Sequence, residues 1–281
     1  MTHRNWFITG VSSGLGREMA AQVLARGDRV FGTVRDTTRV AELKARYDAG
    51  FDVEALEMSD TQAIHRVVDM AFQKLGRIDV IVNNAGYGLF GAAEGLTDTE
   101  VAHQIDTNLV APITVTRAAL PHLRAQGGGR IMAVSSYGGQ ATHPGASLYH
   151  ASKWGLEGFF DSLHGEVASF GIDVTIVEPG GARTAFRATA GARMGMEIDA
   201  YKDTPVGMIR QVLNDPARVP NGDPARMVAA MIESVGQTPA PKRLVLGTDA
   251  YAMIQKALVD RLAAVEAQKD TAARTDFPSA D

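Results

Sequence analysis

The sequence predicts an α/β chain built as a doubly wound parallel sheet. Three observations carry that expectation. Short apolar runs alternate with stretches of helical period, the runs are apolar on both faces, and glycine-rich or polar turns follow them directly. Trp6-Phe7-Ile8-Thr9 reads as the first strand and ends at Gly10. Leu15, Met19, Val23 and Leu24 follow at helical spacing. Residues 29 to 34 make a second strand and residues 53 to 56 a weaker third. Ile64, Val67, Val68, Ala71, Phe72 and Leu75 then fall at i, i+3, i+4, i+7, i+8 and i+11, one face of an amphipathic helix. Residues 78 to 82 are a strand. Residues 99 to 123 are helical with Pro112 interrupting them, and 130 to 134 are a strand. A long helix over 148 to 170, a strand over 174 to 177 and a final strand over 243 to 246 complete the pattern.

Between residues 185 and 222 the regularity fails. Gly191, Gly195, Gly207, Met194, Met196, Met208, Asp215-Pro216 and Asn221-Gly222 read as a mobile, methionine-rich segment that covers a site. Residues 1 to 265 are therefore expected to form one domain that includes this segment. The polar residues 266 to 281 read as a disordered tail.

Composition narrows the function. The 281 residues are 45% hydrophobic and 21% charged, enough to bury a full core. There is no cysteine, which excludes disulfides, thiolate metal sites and cysteine nucleophiles. The formal net charge of -4 offers no basic field to nucleic acid or an anionic membrane surface. The seven histidines are scattered without ligand spacing, so no metal is expected. The polar Met1-Thr2-His3-Arg4-Asn5 and the short apolar run after it suggest neither a leader nor a membrane span, and a cytoplasmic location is expected.

The chemistry begins at Thr9-Gly10-Val11-Ser12-Ser13-Gly14-Leu15-Gly16, which joins a strand to a helix. Glycines there permit a tight turn and the close approach of a ligand, while the helix start offers unpaired N–H groups and the positive end of its dipole. A pyrophosphate fits both. The spacing is G-x-x-x-G-x-G rather than G-x-G-x-x-G. Gly10-Val11-Ser12-Ser13-Gly14 also spells the nucleophile elbow of serine hydrolases, but only nine residues precede it, too few for the earlier strand and loop that complete an oxyanion hole. The second strand ends Thr33-Val34-Arg35-Asp36. Arg35 suits the 2′-phosphate of NADP(H), whereas a carboxylate there would suit NAD(H); NADP(H) is expected, with NAD(H) as the alternative.

Tyr149 and Lys153 lie one helical turn apart on one face. A phenol loses its proton near pH 10; lowering that by roughly three units takes about 4 kcal/mol, within reach of a partly desolvated ammonium nearby. The pair would then act as a general acid/base near neutral pH. Ser135-Ser136 ends the strand before that helix, where a hydroxyl can hold a substrate oxygen. Asn108, close to Pro112 in a locally distorted helix, is a candidate polar relay, and His143 lies in a loop within reach of substrate.

Taken together, Thr9-Gly10 to Gly16, Asn83-Asn84-Ala85-Gly86, Asn108, Ser136, Tyr149 with Lys153, and Pro179-Gly180 with Thr184 resemble the short-chain dehydrogenase/reductase family, and within it the hydroxysteroid and retinol dehydrogenase branch. The resemblance implies a Rossmann-type fold and hydride transfer between a nicotinamide dinucleotide and an alcohol/carbonyl pair. It implies that Tyr149 transfers the proton, that Lys153 holds the nicotinamide ribose and lowers the Tyr149 pKa, and that Ser136 binds the substrate oxygen. Asn108 would anchor a water-linked proton path. Gly10, Ser12, Ser13, Gly14, Leu15 and Gly16 would cradle the pyrophosphate, and Asn84, Ala85 and Gly86 would pass the adenosine half. Pro179, Gly180 and Thr184 would lie along the nicotinamide half. Glu57-Met58 stands where the family commonly has aspartate and a small residue near the adenine, and Arg183 has no assigned role. The stripe Leu156, Phe159, Phe160, Leu163, Val167 and Phe170 is broader than one sheet face needs, in keeping with a homodimer or homotetramer. The alternative function is a non-catalytic NADP(H)-binding sensor or interaction protein on the same fold.

Overall fold

Seven parallel strands form one sheet in the order β3-β2-β1-β4-β5-β6-β7 in the computed structural model, which describes residues 3 to 277. In chain order the elements begin with β1 (Asn5–Thr9), α1 (Gly14–Ala25), β2 (Arg29–Val34), α2 (Ala41–Arg46), β3 (Phe51–Ala55) and α3 (Thr61–Leu75). They continue with β4 (Val80–Asn83), α4 (Asp98–Ile105), α5 (Ala111–Ala125), β5 (Gly129–Val134), α6 (Ser147–Val167) and β6 (Ile172–Pro179). Then come α7 (Phe186–Ala192), α8 (Pro205–Asn214), α9 (Pro224–Ser234), β7 (Arg243–Leu246), α10 (Thr248–Glu266) and α11 (Lys269–Ala273).

The register explains the two cores. β1 pairs in parallel with β2 (Phe7 opposite Phe31) and with β4 (Phe7 opposite Ile81), so its side chains serve both faces of the sheet. On one face Phe7, Phe31, Ile81 and Ile131 pack against Ile64, Val68 and Phe72 of α3, Val115 of α5 and Phe160 of α6. On the other, Trp6, Ile8, Val30, Val82 and Met132 pack against Met19 and Val23 of α1 and Val228 and Met231 of α9. The chain winds outward in both directions from the β1/β4 junction, the place where such sheets leave a crevice at the carboxyl ends of their strands.

Local chemistry sets the boundaries. Asp60 caps α3 by accepting a hydrogen bond from the Ala63 N–H at 2.8 Å. Thr97 and Glu100 close a capping box on α4. Between α4 and α5 one turn, Asp106–Val110, widens to a π-helix just before Pro112, the local distortion expected there.

Two expectations are corrected. The segment from 185 to 222 is not irregular throughout, since α7 and α8 lie within it. Thr204 caps α8, and Pro205 starts it where a missing N–H costs nothing. The stretch after residue 266, expected to be disordered, instead holds a short helix at Lys269–Ala273, although none of its residues is buried. Its lysine and two alanines favour helix without burial. The rest of the expected tail, residues 278 to 281, lies outside the described residues. Among the described residues no helix is long and apolar enough to cross a membrane.

Candidate active site

The first and fourth strand ends are stitched together around Thr9. The N–H groups of Asn84 and Ala85 both donate to Thr9 Oγ1 at 3.0 Å, and Asn84 Nδ2 donates to Thr9 O at 2.9 Å and Gly10 O at 3.2 Å. Gly10 turns the chain with φ +74, and a Cβ there would lie 3.0 Å from Ala85 Cα, so a larger residue is barred by conformation and by space. Gly16 is packed harder: a Cβ would lie 2.5 Å from Gly10 O and inside Asn84 Nδ2. Ser13 is the N-cap of α1, yet its side chain makes no cap bond, which leaves the first-turn N–H groups available to an anion. Ser12 and Leu15 are half-buried beside it. Gly14 meets the loop after β6, since its Cβ would sit 3.7 Å from Thr184 Cβ.

Arg35 and Asp36 are both exposed at the end of β2, and they diverge in role. Asp36 accepts from Thr38 N–H at 3.0 Å and from Thr38 Oγ1 at 2.7 Å, bonds that hold its carboxyl below the usual range. Both bonds fall on Asp36 Oδ1, and Arg35 makes no ion pair among the described residues. At the end of β3, Glu57 is exposed while Met58 is buried in the core. Of the expected pair, Glu57 alone faces solvent.

The four candidate catalytic residues converge and are all buried. Ser136 lies two residues beyond the end of β5, and its Oγ accepts from Gly138 N–H at 3.1 Å. α6 carries Tyr149 and Lys153, with Lys153 Nζ 5.9 Å from the centre of the Tyr149 ring and donating to Val134 O at 2.9 Å. Asn108, in the π turn, grips the chain after β4: its Nδ2 donates to Tyr87 O at 2.8 Å and its Oδ1 accepts from Tyr87 N–H at 3.0 Å. The same Nδ2 donates to Ser152 Oγ at 3.1 Å, and Ser152 Oγ donates to Tyr149 O at 2.7 Å. One amide therefore ties the loop carrying Gly86 to the helix carrying Tyr149. A Cβ on Gly86 would lie 3.1 Å from Asn108 Oδ1 and 3.8 Å from Lys153 Nζ.

The electrostatics of the protein alone reverse one expectation. Burial pushes Tyr149 up to about 12, the neighbouring Ser136 hydroxyl pulling it only partway back, and burial pushes Lys153 down to about 8. The ammonium does not lower the phenol here because it is turned to the Val134 carbonyl, and desolvation of the phenolate outweighs it. Tyr149 thus holds its proton at neutral pH, the state of a general acid. Drawing it toward a general base requires additional positive charge beside the ring.

Other residues complete the site. Phe90 and Phe186 flank the Tyr149 ring at centroid distances of 5.4 and 5.9 Å, and Met194, Ile209 and Leu213 pack against that cluster. α7 and α8 supply most of these, so no single sequence stretch announces them. His143 Nε2 is 3.0 Å from the Tyr137 hydroxyl, its ring edge-on to the buried His150, which burial pushes down to about 4. Pro179 ends β6 and Gly180 follows it, its N–H donating to Leu246 O at 2.8 Å. Arg183, unassigned in the sequence, donates from Nε to Pro220 O at 2.8 Å and fastens the base of the 185–222 segment. Among the described residues no three histidine, aspartate or glutamate side chains cluster as metal ligands.

This geometry agrees with what the chain is similar to. Residues 4–195 match the family described as short chain dehydrogenase. The oxidoreductase BOA17 of Botryotinia fuckeliana is 37% identical over 256 residues, 90% of this chain and 92% of that protein. The NADPH-dependent 3-dehydrocapnine reductase of Ornithobacterium rhinotracheale is 30% identical over 210 residues, 72% of each chain. A crystal structure of a short-chain dehydrogenase from Streptomyces avermitilis superposes with a TM-score of 0.90 at 35% identity, covering 98% of this chain and 100% of that one. With two thirds of its length matched and its strand-end loops folded around one crevice, the chain belongs to the short-chain dehydrogenase family of oxidoreductases.

Proposed function

We propose that the protein interconverts a carbonyl compound and its alcohol with NADP(H), Tyr149 giving or taking the proton. The observation that carries this reading is the convergence of Ser136, Tyr149, Lys153 and Asn108 in one buried cluster beside the glycine loop. NAD(P)(H) is the cofactor of the family, and the residues fit it. Gly10, Ser12, Ser13, Gly14, Leu15 and Gly16 would hold the pyrophosphate on the open N-terminus of α1, and Asn84, Ala85 and Gly86 would line the adenosine half. Pro179, Gly180 and Thr184 would line the nicotinamide half, with Lys153 on its ribose. When bound, the dinucleotide supplies the hydride. Ser136 holds the carbonyl oxygen by a hydrogen bond, Tyr149 protonates that oxygen, and Asn108 fixes the loop and helix between which the substrate sits. Residues 185 to 222 cover the substrate, with Phe186 beside the phenol excluding water.

The preference for NADP(H) rests on the exposed, unpaired Arg35 at the end of β2, and it is supported by the NADPH-dependent reductase among the relatives. Loss of absorbance at 340 nm (the reduced-nicotinamide band) is to be followed across aryl ketones, steroids, sugars and retinoids. Aryl ketones come first because Phe90 and Phe186 wall the phenol. Turnover is expected with NADPH, and Arg35→Ser should weaken NADPH binding about tenfold or more while leaving NADH binding unchanged, the loss of one charge-assisted contact. Binding of NADPH with no turnover of any carbonyl would favour the sensor reading. Equal binding of both dinucleotides, unaltered by Arg35→Ser, would remove the role of that residue.

A further inference from the structure

Behind the catalytic cluster lies a second one to which the mechanism above gives no part. Glu157 and Glu178 are the two acidic side chains buried among the described residues. Glu157 sits on α6 one turn beyond Lys153, and its Oε1 accepts from Ser135 Oγ at 2.7 Å. Glu178, on β6 just before Pro179, accepts from Gln140 Nε2. Arg243 Nε stands 3.5 Å from Glu157 Oε2 and 3.2 Å from Glu178 Oε1. Each carboxyl also leaves one buried oxygen, Oε2, without a donor.

The charges do not balance as two carboxylates. Arg243 is the cation that reaches them, it is a third exposed, and it also serves Asp161 at 3.2 Å, which Lys242 reaches at 2.6 Å. Lys153, the nearest other cation along α6, donates to Val134 O instead. Ser135 and Gln140, the remaining polar contacts, are neutral. Two buried anions against one shared guanidinium leave an uncompensated charge, and one proton removes it.

We propose that Glu157 and Glu178 share a single proton as a buried acid–carboxylate pair, and that this pair is a positioning element for the catalytic groups. It bonds to Ser135 beside Ser136, lies one turn from Lys153 and joins the strand end that leads into Pro179 and Gly180. Burial and the neighbouring Glu178 both push Glu157 well above the usual carboxylate range, in keeping with a retained proton. Once the pair loses its proton, the negative charge of Glu157 raises the proton affinity of Lys153.

The positioning role rests on the carbonyl-reduction reading; the shared proton does not, and the two are tested separately. The infrared spectrum of the full-length protein at pH 7 is expected to show the C=O stretch of a protonated carboxylic acid. That band should disappear in both Glu157→Gln and Glu178→Gln, since either change leaves one carboxylate facing Arg243. A wild-type spectrum without the band, or a band that survives both substitutions, overturns the pair. In steady-state reduction, Glu157→Leu is expected to lower kcat about tenfold or more at unchanged KM for NADPH, and Glu157→Gln, which can still bond Ser135, to restore it. Glu157→Gln should also move the alkaline fall of kcat/KM to lower pH by about half a unit or more, because the carboxylate that wild type gains there as the pair loses its proton no longer holds the charge on Lys153. A profile that stays in place, with both variants equally active, overturns the positioning role. If wild type reduces no carbonyl, the active-site reading fails while the infrared result still stands.

Discussion

Tyr149→Phe is expected to lower kcat by about 10³-fold, the contribution of a well-placed proton donor. The ring is held between Phe90 and Phe186 at 5.4 and 5.9 Å, and phenylalanine keeps those contacts, so the change removes one oxygen and little else. NADPH affinity, followed by quenching of protein fluorescence, should stay within about twofold, since the hydroxyl is assigned to substrate. The wild-type pH profile gives a second check. Tyr149 is protonated through neutrality and Lys153 is positively charged below about 8, so kcat/KM for carbonyl reduction should be level near neutral pH and fall as pH rises through about 8. Turnover by the variant within about tenfold of wild type would show that the proton comes from elsewhere.

Gly16→Ala should be the most damaging single methyl in the cofactor cradle. The added carbon would lie 2.5 Å from Gly10 O and overlap Asn84 Nδ2, and neither neighbour is free to retreat. Gly10 N–H donates to Thr33 O at 2.9 Å, while Asn84 Nδ2 is committed to Thr9 O at 2.9 Å. Relief must come from shifting the backbone of the turn itself, at about 1–3 kcal/mol. A lower Tm and a loss of NADPH affinity of about 100-fold, equivalent to roughly 2.8 kcal/mol, are expected. Titration and thermal melting measure the two together. Wild-type affinity at wild-type Tm would mean that the loop yields at no cost and that the glycine spacing carries no steric message.

The strands were legible because burial on both faces writes itself as uninterrupted apolar runs, and all seven observed strands overlap expected ones. The distortion around Asn108 was legible from Pro112, but the grip of its amide on both backbone groups of Tyr87 was not, because it joins residues 21 apart across two elements. α9 and α10 were not anticipated. α10 buries only Ala250 and Ile254, so it has hardly any apolar period to read. Glu157 and Glu178 were invisible for the opposite reason: carboxylates normally mark solvent, and only the fold shows that these two face inward. The reversed direction at Tyr149 has the same origin. Spacing places an ammonium near a phenol, but burial and the Val134 carbonyl decide what that ammonium does.

The winding of the sheet separates two rims. Every loop assigned to chemistry leaves a strand at its carboxyl end, while the turns that return the chain from helix to strand gather at the far edge. There Gly76 and Gly127 open onto empty space and touch none of the catalytic groups. Stability and specificity thereby fall on opposite edges, and a tag or insertion placed at Gly76 or Gly127 is expected to leave cofactor affinity unchanged.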